Sequence, residues 1–106
     1  MYRQIARGSN SGVTGASYTN ALVWQCSELG NKTMLLKNVH ATNSLKYKLL
    51  GYAGGGIAKE LVAETTLLSG ETAQFHYDRQ WQRLELQVIN GTGAATYQVD
   101  YEGQGV

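Results

Sequence analysis

The stretch Arg83-Leu84-Glu85-Leu86-Gln87-Val88-Ile89-Asn90-Gly91-Thr92-Gly93-Ala94-Ala95-Thr96-Tyr97-Gln98-Val99-Asp100-Tyr101 decides the fold class. Leu84, Leu86 and Val88 alternate with Arg83, Glu85 and Gln87. Beyond the Asn90-Gly91-Thr92-Gly93 break, Ala95, Tyr97, Val99 and Tyr101 alternate with Thr96, Gln98 and Asp100. Successive side chains of a strand point to opposite faces, so a period of two places the apolar set against a core and the polar set in water. Two such runs joined through Asn-Gly carry the strongest short-range hairpin signal, and a hairpin is expected here.

The same reading extends backwards along the chain. Ala73, Phe75 and Tyr77 alternate with Gln74, His76 and Asp78, and Leu45, Tyr47 and Leu49 alternate with Lys46 and Lys48. Ala21 to Cys26 is a short apolar run, and Thr33 to Val39 follows as a second strand, continuous rather than alternating. Residues 51–56, with Gly54-Gly55-Gly56, read as a turn requiring unusual backbone angles. Ile57 to Leu68 has some helical spacing, but the Thr65-Thr66 pair favours two short strands or one kinked strand. About eight short strands spaced roughly ten residues apart describe an all-β fold, a single antiparallel β-sandwich or jelly roll. Residues 1–20 stand apart, because Ser9 to Ser17 is almost wholly small and polar. They read as a flexible, extended N-terminal arm preceding a sandwich domain over residues 21–106.

Composition narrows the function. The chain has 106 residues, 13 glycines, no proline, 16% charged residues and a net charge of +1. Surface scaling gives about 5,800 Å² exposed when folded against about 16,800 Å² unfolded, enough for one thin core. A near-neutral chain offers no basic footprint for nucleic acid, and no apolar run approaches the ~20 residues of a membrane span. The residues after Met1 lack the apolar stretch of a secretion signal, so synthesis in a reducing cytoplasm is expected. Cys26, the single cysteine, cannot form an internal disulfide and reads as a small buried hydrophobe.

Catalytic patterns are missing. His76 and Asp78 share a strand face, yet a metal site needs three or four converging ligands. Gly54 to Lys59 lacks the Gly-Lys pair and hydroxyl of a phosphate-binding loop. Neither Glu60 with Glu64 nor Asp78 with Glu85 has a reason to converge as an acid pair. No enzyme, cofactor or metal is therefore expected. The residues suited to carry contact energy are Tyr2, Ile5, Arg7 and Tyr18 on the arm, and Arg79 and Trp81 in the Tyr77 to Arg83 segment.

Three segments taken together resemble a known group. They are Asn43-Ser44-Leu45-Lys46-Tyr47-Lys48-Leu49-Leu50-Gly51, then Glu64-Thr65-Thr66-Leu67-Leu68-Ser69-Gly70, then Tyr77 to Trp81 leading into Arg83-Leu84-Glu85-Leu86-Gln87-Val88. In order and spacing they resemble the small β-sandwich virion proteins of tailed bacteriophages, most of all capsid decoration or cement proteins. The resemblance covers residues 20 to 101, although Gly54-Gly55-Gly56 lacks the acidic turn residues of the pattern. It implies a structural protein on the capsid surface, self-associating as a trimer and bound to the major capsid protein of a phage head. A tail or neck component of the same particle is the nearest alternative. A carbohydrate-binding module stacking sugars on Trp81, Tyr77 and Tyr97 is the alternative from another class.

Overall fold

The computed structural model describes residues 5–27, 29–78 and 81–105, with the side chain of Ile5 excepted. Eight strands form in chain order: β1 (Ile5–Val13), β2 (Thr19–Gln25), β3 (Leu29–Asn38), β4 (Leu45–Tyr52), β5 (Ala58–Leu67), β6 (Thr72–Tyr77), β7 (Arg83–Asn90) and β8 (Thr96–Gly105). They divide into two four-stranded antiparallel sheets. The first has the order β1-β8-β3-β6 and the second β2-β7-β4-β5. The pairs β1/β8, β2/β7, β3/β6 and β4/β5 are all hydrogen-bonded neighbours. The chain is thus one long ribbon, folded back at the β4–β5 connection and wound into a jelly roll.

Period-two patterning produces the core directly. Buried and half-buried residues alternate along all of β4 and through Val88 of β7. Leu45, Leu49, Leu84, Leu86 and Val88 from the second sheet meet Met34, Leu36 and Val99 from the first, all with no exposed surface. Two aromatic pairs cross between the sheets: Trp24 with Tyr101 at 5.0 Å and Tyr47 with Phe75 at 5.4 Å, the latter edge-on. Such pairs add about 0.5–1.5 kcal/mol each beyond the area they bury. In β2 a bulge between Asn20 and Leu22 turns both Ala21 and Leu22 inward. The total exposed surface of 6040 Å² is close to the scaling expectation.

Two expectations are corrected. Asn90-Gly91 does not close a hairpin, because β7 lies in the second sheet and β8 in the first. The only positive φ among the described residues is at Gly70 (81°), so neither Asn90 nor Gly91 has the conformation a tight hairpin turn demands. Gly91 serves a different purpose. A Cβ there would sit 2.4 Å from Ser44 Oγ and 2.6 Å from the Ser44 carbonyl oxygen, so the missing side chain admits the loop to Ser44. The Gly91 N–H donates to that carbonyl at 3.0 Å. Gly54-Gly55-Gly56 likewise has no positive φ; each of these glycines faces open space. Within 57–68, Ala58–Leu67 form a single strand with two register shifts against β4, the kinked strand rather than two short ones.

Over its described part the arm is an extended strand. Ile5 to Val13 pair with Gln104 to Thr96 of β8 in unbroken register. Strand pairing runs through the backbone and needs no apolar side chain. What fixes β1 to the body comes from β8. Gly8 stands opposite Tyr101 and Gly12 opposite Tyr97, and the two tyrosine rings lie across the glycines.

Candidate functional site

The outward face of the first sheet is built from all four of its strands. Its registers place side chains in cross-strand rows: Arg7, Glu102, Thr33, His76; then Ser9, Asp100, Leu35, Gln74; then Ser11, Gln98, Lys37, Thr72. Over the first two rows lies a shallow groove of about 860 Å³. Arg7 pairs with Glu102 at 3.4 Å, both side chains largely exposed, so the pair contributes little to stability. Thr33 Oγ1 and His76 Nδ1 are 2.9 Å apart, and Gln98 Nε2 donates to Asp100 Oδ1 at 3.1 Å.

Hydrogen bonds from Gln98 and then Ser9 hold the Asp100 carboxyl below its usual range. A general acid at neutral pH needs the opposite displacement, as burial or a neighbouring carboxylate would supply. Among the described residues no group of three or more His, Cys, Asp or Glu is placed to hold a metal ion. The chemistry available to this face is hydrogen bonding, weak ion pairing and the burial of Leu35, which is 39% exposed.

The candidate contact residues do not share one patch. Arg7 belongs to the face just described. Tyr18 lies against the second sheet, where its phenol donates to Glu64 Oε1 and Lys48 Nζ stands 4.2 Å over its ring. Burial and the bond to Glu64 push this phenol up to about 12. Trp81 is half-buried at one end of the sandwich, packed on the core beside Gly51 and Leu61. Its carbonyl accepts the Cys26 thiol at 3.3 Å. Ile5 pairs through its backbone with Gln104, while Tyr2 and Arg79 lie outside the described residues. Nor do Trp81, Tyr77 and Tyr97 form a sugar-stacking platform. Tyr97 is only 7% exposed beneath Gly12, and Tyr77 packs against the core.

Three buried polar residues that the sequence reading did not single out organise the loops around these faces. Asn38 has no exposed surface; its Nδ2 donates to the carbonyls of Asn43 (2.9 Å) and Leu67 (3.1 Å), and its Oδ1 accepts the His40 N–H (3.0 Å). Thr14 Oγ1 donates to Asn90 Oδ1 at 2.7 Å and accepts the Ala95 N–H at 2.9 Å. Lys32, fully buried, donates from Nζ to the Leu29 carbonyl at 2.7 Å, and burial lowers its pKa. A buried polar residue in a strand looks like any exposed one in sequence, so only the Gly8/Gly12 and Tyr97/Tyr101 pairs, with their matching four-residue spacing, offered a readable signal.

No protein-family model matches the chain, and no curated protein sequence does. Among solved structures it is similar to one described as "Bacillus endospore appendages form a novel family of disulfide-linked pili", with a TM-score of 0.71 and 13% identity over 98% of this chain and 88% of that one. It is also similar to the SPBc2 prophage-derived protein YomS, with a TM-score of 0.62 and 10% identity over 98% and 96%. A third similarity is to the infectious bursal disease virus VP2 subviral particle, at 0.54 and 7%, over 96% of this chain but 32% of VP2. At these identities the likeness establishes a shared fold: a small β-sandwich that also occurs in a pilus, a prophage and a viral capsid.

Proposed function

We propose that this chain is a non-enzymatic structural subunit of a virion, a decoration or cement protein that self-associates on the capsid surface and binds the major capsid protein of a phage head. The observation that carries the reading is the outward face of the first sheet. It is a shallow-grooved array of polar side chains from four strands, in which Arg7 and Lys37 balance Asp100 and Glu102 and one leucine, Leu35, is half-exposed. Balanced charge among neutral hydrogen-bonding groups, spread over four strands, suits a protein interface better than a substrate cleft. The fold shared with a prophage protein and a viral capsid protein supports a structural role. The pili named above are disulfide-linked, whereas Cys26 here is 1% exposed. Cys26 is not placed to form such a link between copies.

Cosedimentation with expanded tailed-phage heads stripped of their own outer proteins tests the reading. Saturable binding at a fixed ratio to the major capsid protein is expected. Binding confined to the neck or tail in electron micrographs of labelled protein would move the function to that part of the particle. Absence of binding to heads and tails alike would end the virion reading.

A further inference from the structure

Four strands bound the two sheets: β1 and β6 in the first, β2 and β5 in the second. A sheet edge presents unpaired N–H and C=O groups, and folded proteins ordinarily blunt it. Three of these edges are blunted. β5 has two register shifts against β4 and carries Lys59, Glu60 and Glu64. β2 is bulged at Ala21, whose carbonyl accepts Asn10 Nδ2 at 3.2 Å. β6 has only six residues and is flanked by Glu71 and Asp78.

β1 carries none of these devices. It runs nine residues without a bulge or a proline and has a single charge, Arg7. Its free groups can be placed from the hydrogen bonds at its end. Thr14 N–H donates to the Ala95 carbonyl at 2.9 Å, and Val39 N–H to the Thr96 carbonyl at 3.0 Å, so Ala95 faces β1 and Thr96 faces β3. Antiparallel pairing alternates strictly. The even-numbered residues of β1 therefore bond to β8, and the N–H and C=O groups of Arg7, Ser9, Ser11 and Val13 point away from the sheet. All four residues are exposed.

We propose that this free edge is a self-complementary pairing site, to which β1 of a second copy adds antiparallel about a twofold axis. Two first sheets then become one sheet of eight strands, with the polar face continuous across the join. The inference rests on the assembly reading above and supplies the surface and the partner. A second copy is favoured by register. With the axis at Ser9, Ser9 meets Ser9, Arg7 meets Ser11 and the backbone of Ile5 meets Val13. No like charges oppose one another, and the central pairs are hydroxyl-bearing, an acceptable cross-strand combination. A twofold contact of this kind is isologous and closes on itself.

The test is solution mass by light scattering across a dilution series, on the whole chain and three variants. Wild type should show twice the chain mass and dissociate on dilution. Ser9→Pro removes an N–H that points away from β8, and proline is accepted on an edge strand. It should keep the wild-type circular dichroism and weaken association on the order of tenfold or more. Ser11→Lys, placed opposite Arg7 of the other copy, should also weaken pairing, and Ser11→Glu should preserve or tighten it. Should Ser9→Pro fail to fold, this opposed pair decides alone. A monomeric wild type, a threefold mass, or equal association in all variants would overturn the proposal. Head binding is measured separately, so loss of the edge and loss of the virion reading are told apart.

Discussion

Gly8 and Gly12 show how a strand with no large apolar side chain beyond its ends is held in a sandwich. Each vacates the space above a tyrosine of β8, so Tyr101 and Tyr97 cover β1 from its neighbour. A Cβ at Gly8 would lie 2.4 Å from Tyr101 Oη, which forces the ring to move. Gly8→Val should therefore destabilise by about 1–3 kcal/mol, the usual cost of overpacking, and lower the melting temperature by roughly 4–8 °C per kcal/mol in a domain of this size. Urea titration measures it; a loss below about 0.5 kcal/mol, the scatter of neutral surface changes, would mean that the rings do not hold the strand. Tyr18 offers a second test. Burial and the bond to Glu64 hold its folded pKa at about 12, above the usual range of a phenol. Its contribution is complete below pH 10 and is lost as pH rises towards 12, because only the unfolded chain releases the proton in that window. The difference in urea midpoint between wild type and Tyr18→Phe should shrink across that interval. The effect is small, since the phenol is near the surface and screened. A constant difference would show that the bond to Glu64 does not persist in solution.

Among the elements, β7 and β8 separate local from non-local information. Their alternation is plain in sequence, and both form where expected. Their connection is not a hairpin, because the Asn-Gly signal describes a preferred turn and not the sheet to which each strand belongs. The loop between them is held from outside, by Thr14, Gly15 and Ser44. Asn38 does the same work at the end of β3, tying it to the ends of β5 and of the 40–43 loop through one buried amide. Asn38→Leu keeps the branched shape and strands two carbonyls and one N–H. Each stranded buried group costs about 1–3 kcal/mol, so a loss on the order of 3 kcal/mol is expected after partial rehydration. Chemical denaturation of the variant decides it. A near-neutral result would mean that these loop ends rearrange to water without cost.

For the molecule as a whole, the ribbon of four strand pairs leaves two sheet faces and four edges. Residue-level detail decides which of them is usable. On the second sheet's outer face the Arg83 guanidinium stacks 3.9 Å over Tyr52, and its Nε lies 3.1 Å from Glu85 without the alignment of a hydrogen bond. The first sheet's face and the β1 edge are adjacent and open. An assembly using both would bind a capsid with the face while joining copies at the edge. The head-binding and mass experiments address these two surfaces independently. Ser9→Pro should lower the apparent affinity for heads if paired copies bind bivalently, since a second attachment acts through effective concentration. Unchanged head affinity in that variant would show that copies bind singly.

The amino-acid sequence determined that the chain is all-β, where seven of the strands run, and which side chains of β4, β7 and β8 turn inward. It also carried no pattern for catalysis. For β4, β6, β7 and β8 these are consequences of a period-two repeat, which each strand expresses without reference to the others; β2, β3 and β5 are legible from apolar and β-branched runs. Tertiary structure alone decided which strands pair, that residues 5–13 are an edge strand, that Asn90-Gly91 crosses between sheets, and that Tyr97 lies under Gly12. The reason is physical. An apolar stripe is buried equally well in either sheet, and a backbone edge has no side-chain signature. Partner choice is set by long-range closure of the core and by close approaches such as Gly8 to Tyr101, which join residues 93 positions apart.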